Sequence, residues 1–148
     1  MKKLEYSIAI DAPARKVWDC MLQLENYKIW VAASWPGSSY EGEWKEGSEI
    51  RFVGSDGSGT LAHMEEVKEY NTIRAVHTAV LLKGGVKDTS SPLAANWVNT
   101  KESYFFTESD GRTTLNVEIE TKPEYEKMFD DGWPAALAKL KEICEAKS

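Results

Sequence analysis

Three side chains in this sequence have the chemistry to move a proton near neutral pH: Glu102, His63 and His77. Each lies where apolar and polar residues alternate, the pattern of a half-buried strand. A carboxyl among apolar neighbours has a raised pKa and can act as a general acid or base, and an imidazole can act as a base or bind a ligand. The commoner roles are structural: Glu102 in a cross-strand ion pair on the solvent face, and each histidine as a packed core or surface side chain.

The face on which these side chains lie follows from the alternation within each stretch. If Val67 points inward, the same face carries Leu61, His63 and Glu65. Glu102 shares one face with Val98, Thr100, Tyr104 and Phe106. The stretch Thr72–Leu82 allows either choice. His77 lies in phase with Ile73, Ala75 and Ala79, and the opposite face holds the equally apolar Val76, Val80 and Leu82.

Aromatic residues are a second notable feature, because the chain contains 6 Trp. Large rigid rings either fill a core or form the walls of a cavity. Trp18, Trp30 and Trp133 are expected to pack the helices together. Combined with the polar candidates, the residues predicted to contact a ligand are Trp35, Trp44, Phe52, His63, Glu65, His77, Trp97, Glu102, Tyr104 and Trp133.

Metal and cofactor motifs are not found in the sequence. His63 and His77 lack the spacing of paired metal ligands, and Cys20 and Cys144 are far apart. The run GSDGSG opens no predicted helix and lacks the Lys-Ser/Thr of a phosphate loop, so it is interpreted as a hairpin turn. We therefore expect no metal, no cofactor and two reduced thiols rather than a disulfide.

Length and charge limit the classes of function. A chain of 148 residues is expected to form one domain over residues 1–148. The net charge of −6 argues against a nucleic-acid surface, which would need a basic stripe. No apolar run approaches the roughly 20 residues of a membrane span. The start MKKLEYSIAI lacks the apolar core of a signal peptide, which predicts a cytoplasmic protein.

The first third of the chain predicts one strand and two short helices. Leu4–Ile10 alternates as a half-buried strand. Pro13 suits the first position of a helix, where its missing N–H costs nothing. That helix shows apolar residues at helical spacing, and a second short helix is predicted over Glu25–Val31.

The remainder predicts six strands and a long helix. The strands are expected at Tyr40–Trp44, Glu49–Val53, Gly59–Glu69, Thr72–Leu82, Trp97–Glu108 and Arg112–Thr121. Lys83–Asn96 is predicted to be a long loop, either functional or a tolerated insertion. An apolar stripe marks the last helix at Phe129, Trp133, Leu137, Leu140 and Cys144. Pro134 removes a backbone donor there, so we expect a kink or a restart.

This order of elements predicts an α+β fold. Seven antiparallel strands form a curved sheet wrapped on the long C-terminal helix, with two short helices after strand 1. Where the short helices hold the long helix away from the sheet, a cavity is expected.

Four segments also resemble a known superfamily in their order and spacing: IDAPARKVWDCMLQLENYKIW, GEWKEGSEIRF, DGRTTLNV and GWPAALAKLKE. They are similar to the SRPBCC (START/birch-pollen-allergen-like) superfamily, from Leu4 to Glu145. The run Gly132–Leu140 resembles the branch related to activators of the heat-shock-protein-90 (Hsp90) ATPase, although Pro134 directly after Trp133 departs from the pattern. The resemblance implies a helix-grip fold with a deep pocket between the sheet and the C-terminal helix.

Three functions are compatible with such a pocket, because a fold does not fix a function. The first is a protein that binds a small hydrophobic or amphipathic molecule. The second is a pocket enzyme of the polyketide cyclase/dehydratase type, with Glu102 or a histidine as acid or base. The third is a co-chaperone-like interaction module with a protein partner, which would expose an apolar patch outside the pocket mouth.

Overall fold

The computed structural model describes residues 1–146, which contain eight strands and four α-helices. The strands are β1 (Lys2–Ile10), β2 (Ser39–Glu41), β3 (Glu49–Val53), β4 (Gly59–Lys68), β5 (Thr72–Leu82), β6 (Val86–Asp88), β7 (Lys101–Ser109) and β8 (Arg112–Thr121). The helices are α1 (Ala14–Leu22), α2 (Leu24–Val31), α3 (Pro92–Ala95) and α4 (Glu126–Glu145). Short 3₁₀ turns lie at Lys83–Gly85 and Pro123–Tyr125.

The strands form one antiparallel sheet with the order β1-β8-β7-β5-β4-β3-β2. These seven strands are the predicted sheet. The eighth, β6, extends β5 as a short hairpin in which Leu82 pairs with Val86. The segment predicted as a long loop therefore contains both β6 and α3. The α+β helix-grip architecture is confirmed.

The core lies between the inner face of the sheet and α4. Leu115, Val117 and Ile119 of β8 are buried on that face, as their alternation predicted. Helix α4 buries its apolar stripe against them, including Leu137 and Leu140. Burial of this stripe is the main reason why the helix crosses the sheet.

Helix α1 begins one residue later than predicted. Pro13 adopts an extended conformation at the N-cap, and Ala14 is the first helical residue. The free backbone N–H of Ala14 donates to Glu108 Oε1 of β7 at 2.7 Å. A carboxylate at this end of a helix satisfies an unpaired donor and faces the positive end of the helix dipole.

Helix α4 runs through Pro134 without the predicted restart. The helix continues from Glu126 to Glu145 with Pro134 inside it. Proline removes the hydrogen bond that would reach the carbonyl of Asp130. Two residues before the proline, Ser34 Oγ donates to the carbonyl of Gly132 at 2.6 Å. Packing of the apolar stripe on both sides of the proline outweighs the local loss.

Two predicted strands are shorter in the structure. The strand expected to reach Trp44 ends at Glu41, because Gly42 takes a φ of 121°. The strand expected to begin at Trp97 begins at Lys101, because Asn99 takes a φ of 72° in the turn that follows α3. Both backbone conformations interrupt an extended strand.

The two cysteines lie on helices that pack together, α1 and α4. Both are free thiols, and Cys144 is fully buried. Burial, with the neighbouring Cys20 thiol, raises the pKa of Cys144. No helix in residues 1–146 combines the length and the apolar character needed to cross a membrane.

Candidate functional site

A cavity of about 510 Å³ lies between the sheet and helices α2 and α4. Most of its wall is aromatic or aliphatic: Tyr27, Trp30, Val31, Trp35, Phe52, Val53, Val80, Leu81, Leu93, Trp97, Tyr104, Phe129 and Trp133. Leu93 is 46% exposed and marks the mouth. The volume falls within the range of about 300–1,000 Å³ that is typical of small-molecule sites.

A β-bulge in β5 decides which of its residues face the cavity. Leu61 pairs with Ala79 and Ala62 with His77, so Thr78 is an extra residue on β5. The inward phase therefore changes along the strand. Before the bulge His77 faces the cavity, and after it Val80 does. Both faces allowed by the sequence are used, one on each side of Thr78.

A second bulge corrects the predicted face of β4. Met64 pairs with Ala75 and Glu66 with Arg74, which leaves Glu65 as the extra residue. Val67 packs against the core as predicted, but the phase reverses beyond Glu65. Met64 and Ala62 are then buried on the inner face, and His63 and Glu65 lie outside the cavity.

The three residues that this reversal turns away from the cavity lie in different surroundings. Glu65 is exposed, and one of its carboxylate oxygens lies 3.8 Å from Lys101 Nζ. His63 is half-buried and pairs with Glu49 of β3. Leu61 is buried in a separate cluster with Ala79, Leu81 and Val53.

Trp44 also lies outside the cavity lining. Because β2 ends before it, its ring packs behind the wall against Tyr40 and Phe52, with centroids 5.5 and 5.6 Å apart. The other seven predicted candidates line the cavity together: Trp35, Phe52, His77, Trp97, Glu102, Tyr104 and Trp133.

Glu102 and Tyr104 supply two polar groups to the cavity wall. They are two residues apart on β7 and therefore share its inner face. The Tyr104 hydroxyl donates to Glu102 Oε2. Burial raises the pKa of Glu102, and the hydrogen bond from Tyr104 only partly opposes that shift. Glu102 is thus a carboxyl that faces the cavity and whose neutral form is favoured by its surroundings.

His77 is the second ionisable group in the wall. Its side chain is buried, and this burial lowers its pKa to about 4, so the imidazole is neutral at pH 7. Its backbone is fixed by hydrogen bonds with Asn99 and Thr100. Within residues 1–146, Nδ1 has no hydrogen-bond partner.

Glu102 and His77 are diagonal neighbours on adjacent strands. Glu102 pairs with Ala75, and His77 lies two residues further along β5 on the same inner face. Diagonal neighbours in a sheet lie within reach of long side chains. The neighbouring strands β5 and β7 therefore supply a carboxyl, a phenol and a neutral imidazole to the wall of a largely apolar cavity.

Several lining residues were not identified from the sequence, among them Tyr27, Thr60, Val80, Leu93 and Phe129. Phe129 belongs to the apolar stripe of α4, so its position was predicted but not its contact with the cavity. Tyr27 lies on α2, and the orientation of that helix over the sheet is a tertiary feature. Clusters of three or more metal-ligating side chains are not found in the described chain.

A family model described as Activator of Hsp90 ATPase homolog 1-like protein matches residues 11–145. The comparison with curated proteins found no match. Protein MLL2253 from Mesorhizobium loti is similar in structure with a TM-score of 0.75 and 14% identity, over 99% of each chain.

Two further solved structures share the fold. The Aha1 dimer from Colwellia psychrerythraea has a TM-score of 0.73 and 17% identity, over 98% of this chain and 97% of that one. DynU16, described as a protein in the dynemicin biosynthetic locus, has a TM-score of 0.71 and 15% identity. That match covers 99% of this chain and 48% of DynU16. At these identities the comparisons show the fold.

Proposed function

Because the chain belongs to the family of Activator of Hsp90 ATPase homolog 1-like proteins, a branch of the SRPBCC superfamily, we propose that its cavity binds a small molecule. The ligand is largely apolar and carries at least one polar group. The apolar part contacts the aromatic wall, and the polar group faces Glu102 and His77. The fold supports ligand binding in general, and the lining supports this class of ligand.

One observation carries the proposal: a cavity of about 510 Å³ with a largely apolar wall and a few polar side chains, among them Glu102 and His77. Burial of apolar ligand surface contributes about 25 cal/mol per Å². The few polar groups then fix the orientation of the ligand.

Native mass spectrometry of the purified protein, compared with its denatured mass, is the first test. We expect a reproducible additional mass that is lost on denaturation. A second test fills the cavity with a bulky side chain. Thr60 lies on the inner face opposite Phe52 and lines the cavity, so Thr60→Trp should abolish the additional mass.

Thr107→Trp is the matched control, because Thr107 is exposed on β7 outside the cavity. It adds the same side chain and should leave the additional mass unchanged. Equal ligand retention by the two variants would place binding elsewhere and contradict the proposal.

A second candidate function is acid–base catalysis on the bound molecule. It is supported by the position of Glu102 beside His77 and by the raised pKa of the carboxyl. Glu102→Gln keeps the shape of the side chain and removes its acidity. In a binding protein, Glu102→Gln should retain the same molecule as the natural chain, in equal or smaller amount. In an enzyme, Glu102→Gln should retain a molecule of different mass, the unconverted substrate.

A further inference from the structure

The cavity wall contains one acidic side chain and no lysine or arginine among the described residues. Glu102 is that acidic side chain. The pKa of Glu102 responds to burial and to Tyr104, and no cationic side chain of the described chain contributes to it. His77 on the adjacent strand is neutral at pH 7. The carboxyl thus has a hydrogen-bond donor but no counter-charge.

The wall around this carboxyl is unusually rich in aromatic rings. Eight of the lining residues are aromatic: Tyr27, Trp30, Trp35, Phe52, Trp97, Tyr104, Phe129 and Trp133. The faces of aromatic rings carry partial negative charge and attract cations, with tryptophan the strongest. Tyr27 lies close enough to Glu102 for the carboxylate to influence its hydroxyl. The aromatic rings and the carboxyl without a counter-charge both favour a cationic ligand.

We propose that the cavity selects an organic cation, an apolar molecule whose protonated amine pairs with Glu102 and contacts the surrounding rings. This inference rests on the proposed function and specifies its ligand class. An ammonium group supplies the counter-charge that the ionised carboxyl lacks, which offsets part of the cost of ionising it in an apolar site. The Tyr104 hydroxyl holds the carboxylate in position for that contact.

Other ligand classes fit the lining less well. A carboxylate or sulfonate ligand would bring a second negative charge to Glu102 without a cation to offset it. A neutral alcohol could accept or donate a hydrogen bond at Glu102, but it would gain little from the ring faces. The three classes therefore predict different orders of affinity.

Isothermal titration at pH 7 with three naphthalene probes tests this order. The probes share one ring system and differ in the polar group: 2-(1-naphthyl)ethylamine, 2-(1-naphthyl)ethanol and 1-naphthylacetate. We expect the amine to bind about tenfold or more tightly than the alcohol, because hydrogen bonds to charged groups are the stronger ones. The acetate should bind more weakly than the alcohol.

Glu102→Gln should reduce the preference for the amine to about twofold or less and retain binding of the alcohol. Glu69→Gln is the matched control, because it removes an exposed carboxylate outside the cavity and should keep the tenfold preference. The ranking of the three probes on the natural chain is informative even where Glu102→Gln fails to fold.

Equal binding of amine and alcohol, or strongest binding of the acetate, would overturn the cation inference and leave the binding function standing. An amine preference that survives in folded Glu102→Gln would also overturn it. Failure of all three probes to bind, with no copurifying mass, would overturn the proposed function itself.

Discussion

Burial shifts the pKa values of Glu102 and His77 in opposite directions for one physical reason. An apolar cavity disfavours the charged form of each group, which is the base form of a carboxyl and the acid form of an imidazole. Burial therefore favours the neutral form of each side chain. Each shift makes the stability of the fold depend on pH in its own window.

His77 should destabilise the fold as the medium becomes acidic. Its pKa is 6.5 when unfolded and about 4 in the folded chain, so between these values the unfolded state binds the extra proton. Stability is complete above pH 6.5 and falls towards pH 4 by about 3 kcal/mol, at about 1.4 kcal/mol per pKa unit. Urea unfolding at pH 7 and pH 4.5 should show that the free energy of unfolding falls less for His77→Leu than for the natural chain. His63→Leu, outside the cavity, is the control, and equal losses in both variants would contradict the assignment.

Glu102 should destabilise the fold as the pH rises. Because its folded pKa lies above the ordinary value of 4.5, the folded state holds a proton that the unfolded state releases. The resulting stability is complete below pH 4.5 and is lost as the pH rises through the folded pKa. The melting temperature of Glu102→Gln minus that of the natural chain should therefore be more positive at pH 8 than at pH 4.5. A difference that does not change with pH would show that the carboxyl does not titrate in this range.

Helix α4 packs closely against Trp35 because its residue 132 is a glycine, which has no side chain. A Cβ at Gly132 would lie 2.5 Å from Trp35 Cζ2, far inside van der Waals contact. Glycine in this helix allows the Trp35 ring to lie against the backbone and to close one side of the cavity.

Gly132→Ala should destabilise the protein by about 1–3 kcal/mol through this overlap. Helix propensity alone would give the opposite sign, since alanine is about 1 kcal/mol better than glycine in a helix. Urea unfolding decides between the two effects. In the Trp35→Leu background the overlap is removed, so the same change should become neutral or stabilising. A destabilisation of equal size in both backgrounds would contradict the proposed contact.

The two β-bulges have a larger effect on the site than any loop. Without the bulge at Glu65, the inward phase of Val67 would bring Glu65 and His63 into the cavity. Without the bulge at Thr78, His77 and Val80 could not both face it. One extra residue in a strand exchanges the two faces of everything beyond it.

A ligand in this cavity should raise the stability of the whole molecule, because it would bind only the folded state. A ligand that binds only the folded state at 100 times its Kd should stabilise the protein by about 2.7 kcal/mol. For a chain of this length that corresponds to a rise in melting temperature of about 5–10 °C. Differential scanning fluorimetry with the tightest naphthalene probe measures this shift. Thr60→Trp should show a much smaller shift than Thr107→Trp, and equal shifts would contradict binding in the cavity.

The sequence by itself determined the order and type of most elements. The boundaries of β3 and β5 were predicted to the residue, and the apolar stripe of α4 and the inward face of β8 were predicted correctly. These features follow from local periodicity, which reports the buried face of a helix or strand directly. The family resemblance extended this pattern to the helix-grip fold.

Only the tertiary structure decided which side chains share the cavity. The bulges, the positive φ of Asn99 and the continuity of α4 through Pro134 depend on contacts between distant parts of the chain. Glu102 and His77 line the same cavity because β7 pairs with β5, and Tyr27 joins that lining from α2. The periodicity of one strand cannot show a β-bulge, because a bulge is defined by how that strand pairs with its partner.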